Sequence, residues 1–322
     1  MPVLDMPLEK LYEYQGVNPK PADFEEYWDN TLAELDKIDP QVTITPAKEF
    51  RAINADCFDL YFTGLGGARV YSKYLRPKNI KGKCPVILMF HGYSASSGDW
   101  ADKTVYTNAG FIVLAMDARG QGGKSQDNLV TQGNTFKGNI IRGLDDKPEN
   151  LMFRYIYSDT AMLARIAATL DDVDTDKIYA AGGSQGGALT LACASLASDI
   201  IKKIAPTFPF LCDFKRVYEM DLLKDAYDEI NYYIRHFAPT IEKIDAIWQK
   251  LGYIDLQFLA PRIKAETLWS VGLLDSVCPP STQFAAYNKI TAKKELIIYP
   301  IHGHEYLPSQ ADNQYEFFTK DL

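Results

Sequence analysis

The chain has 322 residues, 47% hydrophobic and 24% charged, with a formal net charge of −8. This composition suits a globular protein with a large core, and its acidity excludes a nucleic-acid surface, which needs a basic patch. No apolar run approaches the roughly 18 residues of a membrane span, and the five scattered cysteines form no C-x-x-C pair that would bind zinc or do redox chemistry.

The opening "MPVLDMPLEKLYEY" carries acids and lacks the basic-then-apolar pattern of a signal peptide, so a cytoplasmic protein with reduced, mostly buried cysteines is expected. Residues 1–40 read as helical, best in "PADFEEYWDNTLAELDKI", where Pro21 and Asp23 suit a first turn. Residues 41–76 alternate like strands in "QVTIT", "CFDLYFTG" and "ARVYSKYLR", and "GLGG" predicts a hairpin. Residues 1–76 are thus expected to form a helix and hairpin extension.

Short apolar runs then recur at 85–90, 111–116, 177–182, 203–208, 266–272 and 295–300, mostly separated by helix-compatible stretches. Continuous apolar strands alternating with helices predict an α/β fold: a mostly parallel sheet covered on both faces. Active residues in such sheets collect at the carboxyl ends of the strands. Between 212 and 262 the alternation stops in favour of an aromatic-rich helical pattern. This segment is expected to be an insertion capping the strand ends, within a single domain spanning 1–322.

"AGGSQGG" (181–187) follows the strand "KIYAA" and opens the helix-forming "ALTLACASLA". This is G-x-S-x-G in the context of a nucleophile elbow, where flanking residues lack side chains and Ser184 is left exposed at the strand end. The helix start adds free N–H groups that favour a developing oxyanion. The competing reading is a glycine-rich turn with an idle serine.

A serine nucleophile needs a base, and only four histidines exist. In the order Ser, acid, His, His91 comes too early, and His236 lies in the cap. His302 and His304 both follow the last strand in "YPIHGHEY", and spacing does not choose between them. Asp275, in "VGLLDSVCPPST", suits the acid that orients the imidazole; Asp213 is the rival. The loop "MFHGYSASSGDW" supplies a second oxyanion N–H, so the candidate donors are the backbone groups of Tyr93 and Gln185.

One stretch competes with this reading. "DARGQGGKSQD" (117–127) ends a strand in Gly-Lys-Ser, as a phosphate-cradling loop does. That loop needs G-x-x-x-x-G-K-[ST] and a following helix. Here Ala118 holds the first position and "QDNLVTQGNTFKGN" reads as extended loop. The glycines instead suit close packing beside the serine, with Arg119 paired to a carboxylate that the sequence does not name. No metal or other cofactor is called for.

"RGQGG" (119–123), "GGSQGG" (182–187) and "HE" (304–305), in this order, resemble carbohydrate esterase family seven, the acetyl xylan esterases and cephalosporin C deacetylases. "PADFEEYW", "PFLCDF" (209–214) and "VGLLDSVCPPST" are similar to that family too. The resemblance implies an α/β-hydrolase fold and removal of acetyl groups from sugars and from cephalosporin C. It implies Ser184 as nucleophile, Asp275 as acid and His304, the histidine followed by Glu, as base. It also implies Tyr93 and Gln185 at the oxyanion, Tyr93, Pro209 and Val277 around the acyl group, and a hexameric assembly. The alternatives are a general short-chain carboxylesterase, a serine peptidase of the prolyl-oligopeptidase kind, and a binding protein that has kept the fold without catalysis.

Overall fold

The computed structural model describes residues 4–322, so residues 1–3 of the expected amino-terminal extension lie outside it. The chain opens with α1 (Leu8–Glu13) and α2 (Phe24–Leu35), followed by β1 (Thr43–Pro46), β2 (Ala55–Thr63) and β3 (Arg69–Pro77). Then come β4 (Cys84–Phe90), α3 (Thr104–Asn108), β5 (Ile112–Met116), α4 (Met152–Thr169), β6 (Val173–Gly183), α5 (Gln185–Leu196) and β7 (Lys203–Thr207). Four helices interrupt the alternation: α6 (Phe214–Glu219), α7 (Asp228–Phe237), α8 (Ile241–Leu251) and α9 (Leu256–Leu259). The chain closes with β8 (Glu266–Gly272), α10 (Pro280–Tyr287), β9 (Lys294–Tyr299) and α11 (Gln310–Thr319).

The nine strands form one sheet in the order β1-β2-β3-β5-β4-β6-β7-β8-β9. β1, β2 and β3 pair antiparallel, as does β3 with β5, and every later pair is parallel. The α/β expectation holds, and the hairpin turns at 65–67, where Gly66 and Gly67 take φ of 72° and 83°.

The apolar strand runs are explained by two cores. Val86, Leu88 and Phe90 of β4 point to one face, with Ile112, Leu114 and Met116 of β5. Ile87 and Val113 point to the other, against Tyr106, Phe317 and Phe318. A strand buried on both faces has no room for polar alternation. α5 is buried over its whole length, which explains why it lacks a polar stripe.

Two local expectations are corrected. Residues 14–23 are not helical: Gly16 takes φ of 83°, and the Tyr14–Asn18 segment is bound to Asp213 instead of to itself. Asp23 precedes α2 but its side chain does not cap it; its carboxylate accepts the Tyr253 hydroxyl at 2.6 Å.

Parallel register brings the carboxyl ends together: Phe90 lies opposite Gly182, Gly183 opposite Thr207, and Gly272 opposite Tyr299. The site is built there.

Candidate active site

Ser184 sits between β6 and α5 with φ 56° and ψ −121°. A non-glycine residue in such a conformation is strained by about 1–3 kcal/mol. The glycines make the turn possible by close approach. A Cβ on Gly186 would lie 2.1 Å from the Phe90 carbonyl oxygen, and one on Gly182 2.5 Å from the Gly186 backbone. The Ser184 N–H donates to Thr207 O at 3.0 Å and its carbonyl accepts from Phe210 N at 3.1 Å. Backbone on both sides therefore fixes the serine, leaving its hydroxyl free for chemistry.

His304 Nε2 lies 3.0 Å from Ser184 Oγ and its Nδ1 2.8 Å from Asp275 Oδ2. A carboxylate only accepts, so Nδ1 carries the hydrogen and Nε2 is left to accept from the serine hydroxyl. Asp275 is fully buried, and its other oxygen accepts from Val277 N at 2.9 Å and Cys278 N at 2.7 Å. Those two bonds hold the acid in a turn with one oxygen aimed at the imidazole. The Phe208 ring packs 4.4 Å from the His304 ring.

The alternatives left open by spacing are separated by geometry. The His302 ring stands edge-on to Tyr299, and its Nδ1 is buried with no partner among the described residues. Its backbone carbonyl, by contrast, accepts from Leu274 N at 2.9 Å, beside the acid turn. Glu305 accepts from Gly303 N at 2.9 Å and so braces the loop that carries His304. Asp213 is fully buried with φ 48° and serves the amino-terminal segment, accepting from the Tyr14 hydroxyl and Asn18 N, each at 2.8 Å. His91 bridges two strand ends: its Nδ1 donates to Gly92 O at 2.7 Å and its Nε2 accepts from Ala118 N at 2.9 Å. Burial holds its pKa below the usual histidine value. His236 is exposed on α7, against the Tyr232 ring.

The backbone N–H groups of Tyr93 and Gln185 find no acceptor among the described residues. The segments that carry them are tied together by Gln121 of the "RGQGG" loop. Its amide pairs reciprocally with the buried Gln185 amide at 2.7 and 3.0 Å, and its oxygen also accepts from Ser94 N at 3.0 Å. Arg119 anchors the same loop from below. It is fully buried and forks onto Asp159 at 2.7 and 2.5 Å, with a third bond to Leu65 O at 2.9 Å. Burial pushes the Asp159 carboxyl up, and the guanidinium acts against that. No helix follows this loop; Gly123, with φ 111°, lets the chain fold onto Asp117 instead.

Of the three residues expected around an acyl group, Tyr93 packs its ring on Phe210 at 5.5 Å. Pro209 lies against the start of α5, where a Cβ on Gly187 would be 3.0 Å from Pro209 Cα. Val277 is half-buried in the acid turn. Cys278, Asp275 and His304 place their ligating atoms within 4.8 Å of one another. Asp275 and His304 are already engaged with each other, and burial pushes the Cys278 thiol up, away from the thiolate a metal needs. Sequence reasoning missed Gln121, Asp159, Phe208 and Glu229, whose carboxylate accepts the Tyr93 hydroxyl. Gln121 lies inside the "RGQGG" stretch and Phe208 is the first residue after β7, whereas Asp159 and Glu229 carry no local signal.

Comparison with known proteins extends the geometry. The profile of the acetyl xylan esterase (AXE1) family matches residues 1–322. The acetyl esterase Axe7A of Xylanibacter ruminicola is 30% identical, over 94% of this chain and 70% of that protein. The crystal structure of acetyl xylan esterase 1 from Thermoanaerobacterium sp. JW/SL YS485 superposes with a TM-score of 0.96 at 50% identity, covering 98% of this chain and 99% of that one. Acetyl xylan esterase from Paenibacillus sp. R4 gives 0.93 at 32% identity, with 98% and 99% covered. With sequence matched from end to end and the hydrolase sheet superposing throughout, the chain belongs to the acetyl xylan esterase family.

Proposed function

We propose that this protein is a serine esterase that removes acetyl groups from acetylated xylo-oligosaccharides through an acetyl-enzyme on Ser184. The observation that carries the reading is the hydrogen-bonded line Ser184–His304–Asp275 on a strained elbow, in a chain of this family. Ser184 Oγ attacks the acetyl carbonyl while His304 Nε2 takes its proton. Asp275 stabilises the imidazolium without taking the proton itself. The oxyanion accepts hydrogen bonds from the Tyr93 and Gln185 N–H groups, which need no reorganisation as charge develops. His304 returns the proton to the departing sugar oxygen. Water then attacks the acetyl carbonyl, His304 takes a proton from it, and acetate leaves as the proton passes back to Ser184.

Tyr93, Pro209 and Val277 bound the acyl side. The family resemblance adds cephalosporin C as a further acetyl ester and a hexamer as the assembly. It accompanies the reading of a single-domain cytoplasmic enzyme. Among the described residues, no helix is long and apolar enough to cross a membrane.

The test is acyl length at fixed alcohol. A pocket shaped for a methyl group rejects longer chains, since overpacking costs about 1–3 kcal/mol and each 1.36 kcal/mol is a factor of ten. The expected result is a kcat/KM that falls roughly tenfold to a hundredfold from acetate to butyrate. Exchanging the alcohol at fixed acetate should matter less. Equal hydrolysis of butyrate would make the protein a general carboxylesterase.

A further inference from the structure

Glu229 lies in the first turn of α7, within the helical insertion, yet it is only 5% exposed. It reaches across to the loop after β4. One carboxylate oxygen accepts the Tyr93 hydroxyl. The other accepts from Ile140 N at 2.7 Å and Ile141 N at 3.0 Å. The Tyr93 oxygen in turn accepts from Asn139 N at 2.8 Å. Every partner is thus an N–H or O–H donor supplied by the site or by the 139–141 backbone.

That approach is built into the sequence. Gly138 takes φ 65°, and a Cβ there would lie 2.1 Å from Glu229 Oε1. A glycine is required for the backbone to wrap the carboxylate. Burial pushes Glu229 up to about 7, while the Tyr93 hydroxyl and the backbone N–H groups pull the other way. An unpaired buried carboxylate is costly unless its oxygens are bonded, and here both are. The bonds offset the cost of burial and keep the carboxylate at a defined place.

That place is the far end of Tyr93. The tyrosine is held by its ring against Phe210 and by its hydroxyl on Glu229. Its backbone N–H is one of the two oxyanion donors of the function proposed above, on which this inference rests. We propose that Glu229 is a positioning residue for the oxyanion site. Its carboxylate fixes the Tyr93 side chain, and the fixed side chain holds the Tyr93 N–H where the oxyanion forms. The helical insertion thereby acts on the chemistry through one hydrogen bond.

The test compares Glu229→Gln, Tyr93→Phe and the double variant with wild type on a chromogenic acetate ester. A glutamine that turns its oxygen to the tyrosine sets its NH2 against the two backbone N–H groups, and one that turns its NH2 to the tyrosine leaves the hydroxyl hydrogen without an acceptor, so the donation from Tyr93 or the backbone pair is lost. Since a misplacement of about 1 Å can cost a hundredfold, Glu229→Gln should lower kcat roughly tenfold to a hundredfold, with KM changed less than about threefold. The double variant should be no slower than the slower single one, because both remove the same bond. A folded Glu229→Gln enzyme with normal kcat, a loss confined to KM, or single losses that multiply would each overturn the proposal. If Glu229→Gln does not fold, Tyr93→Phe decides alone: it removes the bond and leaves the N–H, so normal kcat there overturns it. Ser184→Ala run in parallel separates the two levels. Near-normal turnover in that variant defeats the acetyl-enzyme function on which the inference rests; an inactive Ser184→Ala beside a normal Glu229→Gln defeats only the role of Glu229.

Discussion

Two glycine-rich turns lie at the ends of neighbouring parts of the parallel sheet, "RGQGG" after β5 and "GGSQGG" after β6. On paper the first looks like a binding loop. In three dimensions the glycines of the two turns do different things. In the second, they bring the elbow against β4 and force Ser184 to φ 56°, with a helix opening behind it. In the first, the turn leads into no helix and Gly123 folds onto Asp117. The side chains of that turn go inward: Arg119 to Asp159 and Gln121 to Gln185. One turn presents a serine hydroxyl to His304, and the other holds the first in place. A helix opens behind the one, and a buried ion pair makes the other a support.

The comparison can be broken most severely at the elbow. Ser184→Ala and His304→Ala should each cut turnover by about four powers of ten or more, since such residues act as a unit, while His302→Ala keeps most activity. Comparable losses at both histidines, read by steady-state kinetics on an acetate ester, would return the choice that spacing left open. Next comes the supporting turn. Arg119→Met leaves Asp159 buried and unpaired, so unfolding stability should fall by about 3–5 kcal/mol in chemical denaturation. A loss below about 1 kcal/mol, the size of a surface pair, would show that the loop is anchored elsewhere. The smallest expected effect is none at all. Nucleotide with magnesium should leave the melting temperature unchanged, because binding to the native state alone would raise it by mass action. A saturable rise would make "RGQGGKS" a phosphate loop after all.

The strands were legible because burial on both faces leaves a continuous apolar run. The elbow was legible because strand, G-x-S-x-G and helix are adjacent in sequence. His304 and Asp275 were legible as types in the right order, but not as a unique pair. What separates His304 from His302 is geometry within a three-residue loop, where Gly303 turns on the Glu305 carboxylate. The rest depends on distant partners. Glu229 stands 136 residues from Tyr93, Gln121 stands 64 from Gln185, and Asp159 stands 40 from Arg119. None of these pairs leaves a periodic trace. The helical reading of 1–40 failed over 14–23 for the same reason, since that backbone is held by Asp213, 195 residues away from Asn18.

The central claim is that Ser184 carries the acetyl group. Labelling the folded protein with a fluorophosphonate and mapping the modified peptide by mass spectrometry tests it most directly, because the probe needs an activated serine and an oxyanion site together. Modification is expected at Ser184, and at no residue in Ser184→Ala. A label on another residue, or a Ser184→Ala protein that still reacts, would contradict it.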